Sequence, residues 1–374
     1  METGVAKAAP RPASPQTLRM SNAAALSLRL AAGRFYRDVE LTGINVLLDY
    51  ERGCHANCAY CGLARERAGA YEDKSFIRVD WPVHPTDRII EQMAKYAERM
   101  GRFCISQVVH PQTHHDTLEL IRRFRARTDT PISVLCAPPL LNRERLQQYK
   151  DAGVDMIGVG LDAVTERTFE RRRGREVRGG LHWKKYWEVI FLSREIFGPW
   201  KVNCHVVVGL GDSDRELLEF SDRVNRNEIY AYLFCFYPEP DSAMASARRP
   251  SLFRWRRIQL LKYLLEERKI SPRDIEYNGR GGVARASIAR EVVNWAIEGA
   301  AAFMTNGCPE QRTGLVSCTR PFGSYRPGEP FRDYPFVPSS ADRKAIRRQL
   351  RLDRWCATSN EQYHGQNTDH SLPR

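Results

Sequence analysis

The sequence lacks the long apolar segments that membrane and secreted proteins need. No run of 18 apolar residues occurs, which argues against a transmembrane helix. The first sixteen residues are rich in Ala and Pro and contain no apolar signal-peptide core, so they predict a flexible arm. The polar tail from Thr358 predicts disorder. We therefore expect a cytoplasmic protein with no membrane partner.

Acidic residues are fewer than basic residues. Lys and Arg number 58 against 45 Asp and Glu, which gives a formal net charge of +13. This surplus favours an acidic partner, such as an anionic cofactor, an acidic carrier protein or nucleic acid. Each short basic run, such as Arg171–Arg173, is interpreted as a solvated face. Because the basic residues are dispersed and no RNA-binding module is evident, we expect no nucleic-acid partner; a nucleic-acid-binding iron-sulfur protein stays an alternative.

A glycine-rich dinucleotide turn is also missing after the first predicted strand, which argues against a doubly wound sheet. Instead, apolar runs alternate with amphipathic stretches, which predicts parallel βαβ units. We expect an α/β fold, a TIM-like barrel that is whole or has a repeat missing or altered. The predicted strands are Ile44–Leu48, Phe103–Val109, Ile132–Leu135, Met156–Leu161, Lys201–Leu210 and Tyr230–Phe236. The predicted helices are Pro85–Arg99, Thr117–Arg127, Arg143–Ala152, Tyr186–Ile196 and Asp214–Asn225.

The same pattern suggests four segments. Residues 1–39 form an arm and a lead-in helix, and residues 40–308 form the barrel. Residues 309–357, rich in Pro, Gly, Arg and aromatics, form an irregular C-terminal cap. Residues 358–374 form the disordered tail.

Ten cysteines are present without a secretory signal, so metal binding fits better than a disulfide framework. Cys54, Cys58 and Cys61 follow directly on the first strand, and Tyr60 precedes the last of them. Three thiolates in one loop can hold three corners of a 4Fe-4S cluster and leave the fourth iron open. A zinc site would need a fourth ligand, either His55 or a distant cysteine.

This C-x3-C-x2-C spacing, with the aromatic Tyr60, resembles the signature of the radical S-adenosylmethionine (SAM) superfamily. The resemblance implies that Cys54, Cys58 and Cys61 ligate the cluster, that its open iron binds SAM and that Tyr60 contacts the cofactor. It also implies that reduction of the cluster yields a 5′-deoxyadenosyl radical, which abstracts a hydrogen atom from the substrate. An electron donor such as ferredoxin or flavodoxin is then expected.

Three further cysteines, Cys104, Cys136 and Cys204, each lie in or at the end of a predicted strand. A single cysteine in such a strand is usually a small buried hydrophobic residue. Three on different strands of one barrel could converge in its interior and hold a second cluster. The position of Cys235 in an aromatic strand predicts that its side chain packs in the core. Cys356 is expected to be unligated.

Over much of Ile44–Cys308 the chain resembles biotin synthase. Arg102-Phe103-Cys104, Cys136 and Cys204 fall at or near the positions of three ligands of that family's auxiliary sulfur-donating cluster, with Cys204 offset by one residue. The resemblance implies Arg285, in Arg285-Ala286-Ser287-Ile288-Ala289-Arg290-Glu291, as the fourth ligand. It also implies Asp162 as a ribose contact of SAM.

The C-terminal segment is similar to a second family. Ser324-Tyr325-Arg326, followed by Gly328-Glu329, resembles the C-terminal region of lipoyl synthase, where a serine caps a sulfur-donating cluster. The N-terminal triple-cysteine motif of that enzyme is missing, so the chain looks closer to the biotin-synthase-like subunits of two-component lipoyl synthases. Cys308 and Cys318 could replace some strand cysteines as auxiliary ligands, and a purely structural tail is the alternative.

These resemblances imply sulfur insertion at C6 or C8 of a protein-bound octanoyl chain, with an auxiliary Fe-S cluster as sulfur donor. The implied partners are an octanoylated lipoyl-domain or glycine-cleavage H-type carrier and a second radical SAM subunit. The alternatives are sulfur insertion into dethiobiotin, as in biotin synthase, and another radical SAM reaction of the maturase or methylornithine type.

Overall fold

The computed structural model describes residues 11–39, 41–310 and 330–357. Its strands are β1 Thr17–Met20, β2 Gly43–Leu48, β3 Val83–Pro85, β4 Arg102–Ser106, β5 Ile132–Cys136, β6 Val154–Asp162, β7 Val202–Val208, β8 Tyr230–Cys235, β9 Ile275–Tyr277, β10 Val283–Ser287 and β11 Cys356–Ala357. Its helices are α1 Asn22–Ser27, α2 Thr86–Lys95, α3 Thr113–Arg125, α4 Arg143–Asp151, α5 Glu166–Arg172, α6 Trp183–Phe197, α7 Asp214–Arg226, α8 Leu252–Glu266, α9 Arg290–Gly299 and α10 Ser340–Leu350. The six strands and five helices expected from the sequence are all present, within a few residues of their predicted ends.

The main sheet contains eight strands in the order β3-β1-β2-β4-β5-β6-β7-β8. Strands β2, β4, β5, β6, β7 and β8 are parallel, whereas β1 and β3 join antiparallel at one edge. The parallel strands follow one another in chain order without a reversal, which is the arrangement of a barrel rather than of a doubly wound sheet. In the described part of the chain, edge strands β3 and β8 do not pair, so the sheet is an open form of the predicted barrel.

Strand β7 shows how the alternation of side chains divides the barrel into an interior and an outer layer. Cys204, Val206 and Val208 are fully buried within the main hydrophobic core, whereas His205 and Val207 line the interior cavity. Successive side chains of a strand point to opposite faces, so two layers form on either side of the sheet. The outer face packs against helices such as α6, whose Val189 and Ile190 are fully buried.

The N-terminal segment contains a strand that the sequence did not predict. Thr17–Met20, directly after the predicted flexible arm, form β1, which is inserted between β2 and β3. Arg19 lies in this strand with its side chain buried, and its guanidinium donates hydrogen bonds to the carbonyls of Tyr71, Lys74 and Trp81. Because a buried guanidinium must satisfy its donors, these contacts hold the arm against the loop that follows the cysteine motif.

A second hydrophobic core begins earlier than the predicted boundary at residue 308. The β/α alternation ends at β8, and helices α8, α9 and α10 pack together around residues such as Leu264, Ile297 and Ile346. The three-stranded sheet β11-β10-β9 belongs to this core. In the described ranges, no helix is both long and apolar enough to span a bilayer.

Candidate radical SAM site

The loop after β2 places Cys54, Cys58 and Cys61 along one cavity of about 210 Å³ inside the barrel. All three thiols are free, and Cys58 is the most buried, with 8% of its surface exposed. The cavity also receives side chains from the C-terminal ends of the parallel strands, including Leu135 and Val207. In barrel enzymes this end of the strands carries the active site.

The surroundings of the three sulfurs fit an iron-sulfur cluster. Burial raises the pKa of Cys54 to about 11, although backbone amides of Ala56 and Val109 act in the opposite direction. The amide of Leu63 donates a hydrogen bond to the Cys61 sulfur at 3.4 Å. Buried thiols of this kind ionise readily only when a metal compensates their charge, and backbone N–H groups around sulfur are a feature of cluster sites.

The three thiols do not meet at one point. Within residues 11–39, 41–310 and 330–357, no three His, Cys, Asp or Glu side chains converge as the ligands of a single metal ion would. A cubane cluster does not require such convergence, because each thiolate binds a different iron at a separate corner.

Tyr60 and Asp162, predicted separately as cofactor contacts, lie together beside the cysteines. The Tyr60 hydroxyl donates a hydrogen bond to the Asp162 carboxylate, and the Arg173 guanidinium lies 3.2 Å from the same carboxylate. Asp162 ends β6 with a left-handed backbone, at φ 61°. This turn of the chain lets the carboxylate meet the cysteine loop, so both predicted residues line the cavity.

Arg173 is a residue of the site that sequence reasoning missed, since the run Arg171–Arg173 was interpreted as solvated. Its guanidinium donates to the carbonyls of Gly160 and Leu161 and lies 4.8 Å from the centre of the Tyr186 ring. Burial alone would lower the pKa of Arg173, but the phenols and carboxylate around it raise it, so the side chain stays charged. The helical spacing from buried Phe169, four residues earlier, was the available signal.

The strand cysteines do not converge. Cys104 lies two residues before cavity-lining Ser106, and therefore on the interior face of β4, close enough to Cys308 to affect its pKa. Cys136 borders the cavity at the end of β5. Cys204 faces the outer layer, because its offset of one residue along a strand reverses the face and puts His205 inward. The structure therefore does not bring the three thiols together in the barrel interior, and their role as ligands of one cluster stays a prediction.

The other predicted auxiliary residues lie elsewhere. Arg285 is exposed on β10 in the second sheet, so the structure does not bring it to the cavity, and its ligand role stays a prediction without support from the geometry. Cys308 packs in the barrel interior with the Asn203 amide nitrogen 3.7 Å from its sulfur. Cys318 and Ser324 lie outside the described residues.

Two further residues line the cavity that sequence reasoning did not assign to it. Cys235, expected to serve core packing, borders the cavity at the end of β8, and burial raises its pKa to about 12. His205 also lines it, with its ring 4.9 Å from the centre of Phe234. Cavity residues therefore include the loop after β2 and residues of β4, β5, β6, β7 and β8.

Comparison with known proteins agrees with this site. The model of the family described as the radical SAM superfamily matches residues 50–224, which include the cysteine loop, Asp162 and Arg173. A probable GTP 3′,8-cyclase from Pyrococcus horikoshii is 25% identical over 187 residues, 48% of this chain and 53% of that protein. GTP 3′,8-cyclase from Microcystis aeruginosa is 26% identical over 107 residues, 28% of this chain and 32% of that protein. The chain thus spans about half or less of these curated relatives.

Among solved structures, methylornithine synthase (PylB) superposes with a TM-score of 0.46 at 12% identity, covering 90% of this chain and 88% of that chain. The FeFe-hydrogenase maturase HydG from Carboxydothermus hydrogenoformans superposes with a TM-score of 0.41 at 16% identity, covering 58% and 50%. The match over residues 50–224 identifies this part of the chain, which includes the cysteine loop, as a radical SAM superfamily domain, and this family implies a 4Fe-4S cluster and SAM.

Proposed function

We propose that this chain is a radical SAM enzyme in which Cys54, Cys58 and Cys61 hold the 4Fe-4S cluster and a small substrate occupies the adjoining cavity. The observation that carries the proposal is the position of all three thiols on one interior cavity, beside Tyr60 and Asp162. When bound, the cluster and SAM supply a 5′-deoxyadenosyl radical that removes a hydrogen atom from the substrate.

The chain's own residues would bind and shield these groups. The Asp162 carboxylate accepts from Tyr60 and faces the cavity, where hydroxyls of a ribose are suitable donors. Arg173 holds the Asp162 carboxylate in place through their contact at 3.2 Å. Apolar side chains such as Leu135 and Phe234 line the same cavity and would exclude water from a reactive radical.

Iron content and SAM cleavage test the proposal. The reconstituted protein should carry about four iron atoms per chain, and with a strong reductant it should form 5′-deoxyadenosine from SAM. Cys58→Ser should lose most of this iron and the cleavage activity. Cys356→Ser, a substitution in the second sheet, is the matched control and should keep both. Full iron content in Cys58→Ser would contradict the proposed ligand set.

Sulfur insertion into an octanoyl chain, expected from the resemblance to lipoyl synthase, is a finer proposal that needs a second cluster. The outward position of Cys204 and the exposure of Arg285 weaken its expected ligand set, and Cys104 with Cys308 stays available in the barrel interior. A variant with Cys54, Cys58 and Cys61 replaced by Ala should retain iron and sulfide if an auxiliary cluster exists. An iron content near zero would rule out the hypothesis of sulfur insertion, whether the substrate is an octanoyl chain or dethiobiotin.

The names of the curated relatives support a different substrate class. Proteins from Pyrococcus horikoshii and Microcystis aeruginosa that match parts of this chain are named as GTP 3′,8-cyclases, probable in the first case. GTP is therefore the first candidate substrate to add to the reduced enzyme with SAM. Substrate-dependent stimulation of 5′-deoxyadenosine formation by GTP, and not by an octanoylated carrier or dethiobiotin, would favour a nucleotide substrate. The same assay can test two expected partners. These are an electron donor, ferredoxin or flavodoxin, and a second radical SAM subunit.

A further inference from the structure

A tight turn at residues 76–79 places two side chains at the cavity. Phe76 and Val79 pair across the turn, while Ile77 and Arg78 occupy its tip with φ values of 56° and 60°. Both tip residues line the cavity. A left-handed backbone is unfavourable for a β-branched residue such as Ile77, so contacts elsewhere must hold the turn in this shape.

Glu239, which follows β8, supplies those contacts. Its carboxylate accepts a hydrogen bond from the Ser75 hydroxyl and another from the backbone N–H of Arg78, at 2.7 Å. Glu239 is only 3% exposed and itself lines the cavity. Its charge is thus directed at the turn's backbone and hydroxyl groups, and the Arg78 side chain is left pointing along the cavity wall.

The Arg78 guanidinium lies 4.5 Å from the centre of the Tyr237 ring, which holds it in place by a cation–π contact. Across the described ranges, no carboxylate lies within ion-pair distance of the Arg78 guanidinium. Arg173, in contrast, is engaged by Asp162. A second guanidinium, that of exposed Arg249, lies 5.3 Å from the centre of the same Tyr237 ring.

We propose that Arg78 binds an anionic group of the substrate, a phosphate or a carboxylate, and so determines which small molecules the cavity accepts. This inference rests on the proposed radical SAM function. A guanidinium presents several N–H donors in a fixed plane that match two oxygens of either anion, and a site partly shielded from water strengthens such a pair. The turn and Glu239 position the guanidinium, and the cation–π contact with the Tyr237 ring orients it.

Binding of small anions by the reconstituted, SAM-loaded enzyme tests the inference. Labelled pyrophosphate and labelled succinate, used separately in equilibrium dialysis, distinguish a phosphate from a carboxylate site. Arg78→Gln should weaken binding of the preferred probe by about tenfold or more, because a charge-assisted contact is lost. Arg78→Lys should give an intermediate affinity, since it keeps the charge but not the planar donors. Arg280→Gln, at an exposed arginine between β9 and β10 of the second sheet, is the control and should bind the probes like the unaltered enzyme.

Three outcomes would overturn the inference: no saturable binding of either probe, equal binding by Arg78→Gln and the unaltered enzyme, or a parallel loss of SAM affinity in Arg78→Gln. The last would place Arg78 on the cofactor instead of the substrate. Formation of 5′-deoxyadenosine without substrate is measured alongside. If the unaltered enzyme forms none, the proposed function fails; if it forms 5′-deoxyadenosine but the probes give one of these outcomes, only the assignment of Arg78 fails.

Discussion

At the scale of single residues, Arg173 contacts several groups of the candidate SAM site at once. Its side chain is buried and contacts the carboxylate of Asp162, the carbonyls of Gly160 and Leu161 and the ring of Tyr186. One neighbour in sequence, Arg171, is exposed. The two arginines therefore offer a direct comparison between a buried and a solvated guanidinium on the same short helix end.

Arg173→Met should lower the free energy of unfolding by about 3 kcal/mol, because it leaves the Asp162 charge without its partner in a largely buried place. Urea denaturation of the metal-free, reduced protein measures this. Arg171→Met should change the free energy of unfolding by less than about 0.5 kcal/mol. Adding Asp162→Asn to Arg173→Met should recover part of the loss, since both charges are then removed. Equal effects of Arg173→Met and Arg171→Met would show that the buried contact contributes little.

Elements that are distant in sequence meet around the cavity through a few specific contacts. The cysteine loop after β2 packs closely against the 76–79 turn and the segment after β8. A Cβ placed on Gly62 would lie 2.1 Å from the carbonyl oxygen of Ser75 and 2.8 Å from the Glu239 carboxylate, so glycine is needed directly after Cys61. Glu239 thus connects the end of the parallel sheet with the turn that carries Arg78.

Glu239→Gln should loosen the 76–79 turn, because an amide side chain cannot serve as acceptor at both oxygen positions and loses the charge. We expect the opening free energy of this turn to fall by about 2 kcal/mol. Hydrogen exchange of the amides of residues 77–79 should become correspondingly faster. Glu276→Gln, at an exposed position of β9, is the control and should leave these rates unchanged. Unchanged exchange in Glu239→Gln would mean that the turn is held by other contacts.

At the scale of the whole molecule, the N-terminal segment and the last described helix meet. The Arg37 guanidinium makes two hydrogen bonds to the carboxylate of Asp342, in the first turn of α10. Asp342 also accepts from Ser339 in a capping box. Partial burial acts to raise the pKa of Asp342, but the contacts with Arg37 and Ser339 prevail and lower it. Folding therefore favours the ionised carboxylate.

Asp342→Asn should lower the free energy of unfolding at pH 7 by about 1 kcal/mol, the usual size of a capping contribution. Because the folded pKa of Asp342 is depressed, its contribution is complete above the unfolded pKa of about 4 and is lost as the pH falls through the folded pKa. The difference between the unaltered protein and the variant should therefore shrink below about pH 4. Urea titrations at several pH values check this, and a difference that is constant with pH would contradict it.

Some features of this protein depend only on local sequence. The alternation of apolar runs and amphipathic stretches determined six parallel strands and the helices between them, because each element forms from its own side-chain period. The spacing of Cys54, Cys58 and Cys61 placed them in one loop, and a loop after a barrel strand lies at the catalytic end wherever the rest of the chain goes.

Only the tertiary structure decided which distant residues join that loop. Whether Cys204 or His205 faces the interior depends on strand register, in which a shift of one residue reverses the face. That Arg173 is buried while Arg171 is exposed, and that Arg78 is aimed at the cavity by Glu239, depends on loops separated by long stretches of sequence. The motif thus predicted the radical chemistry, whereas the packing of strands and loops determined the cavity beside the three cysteines.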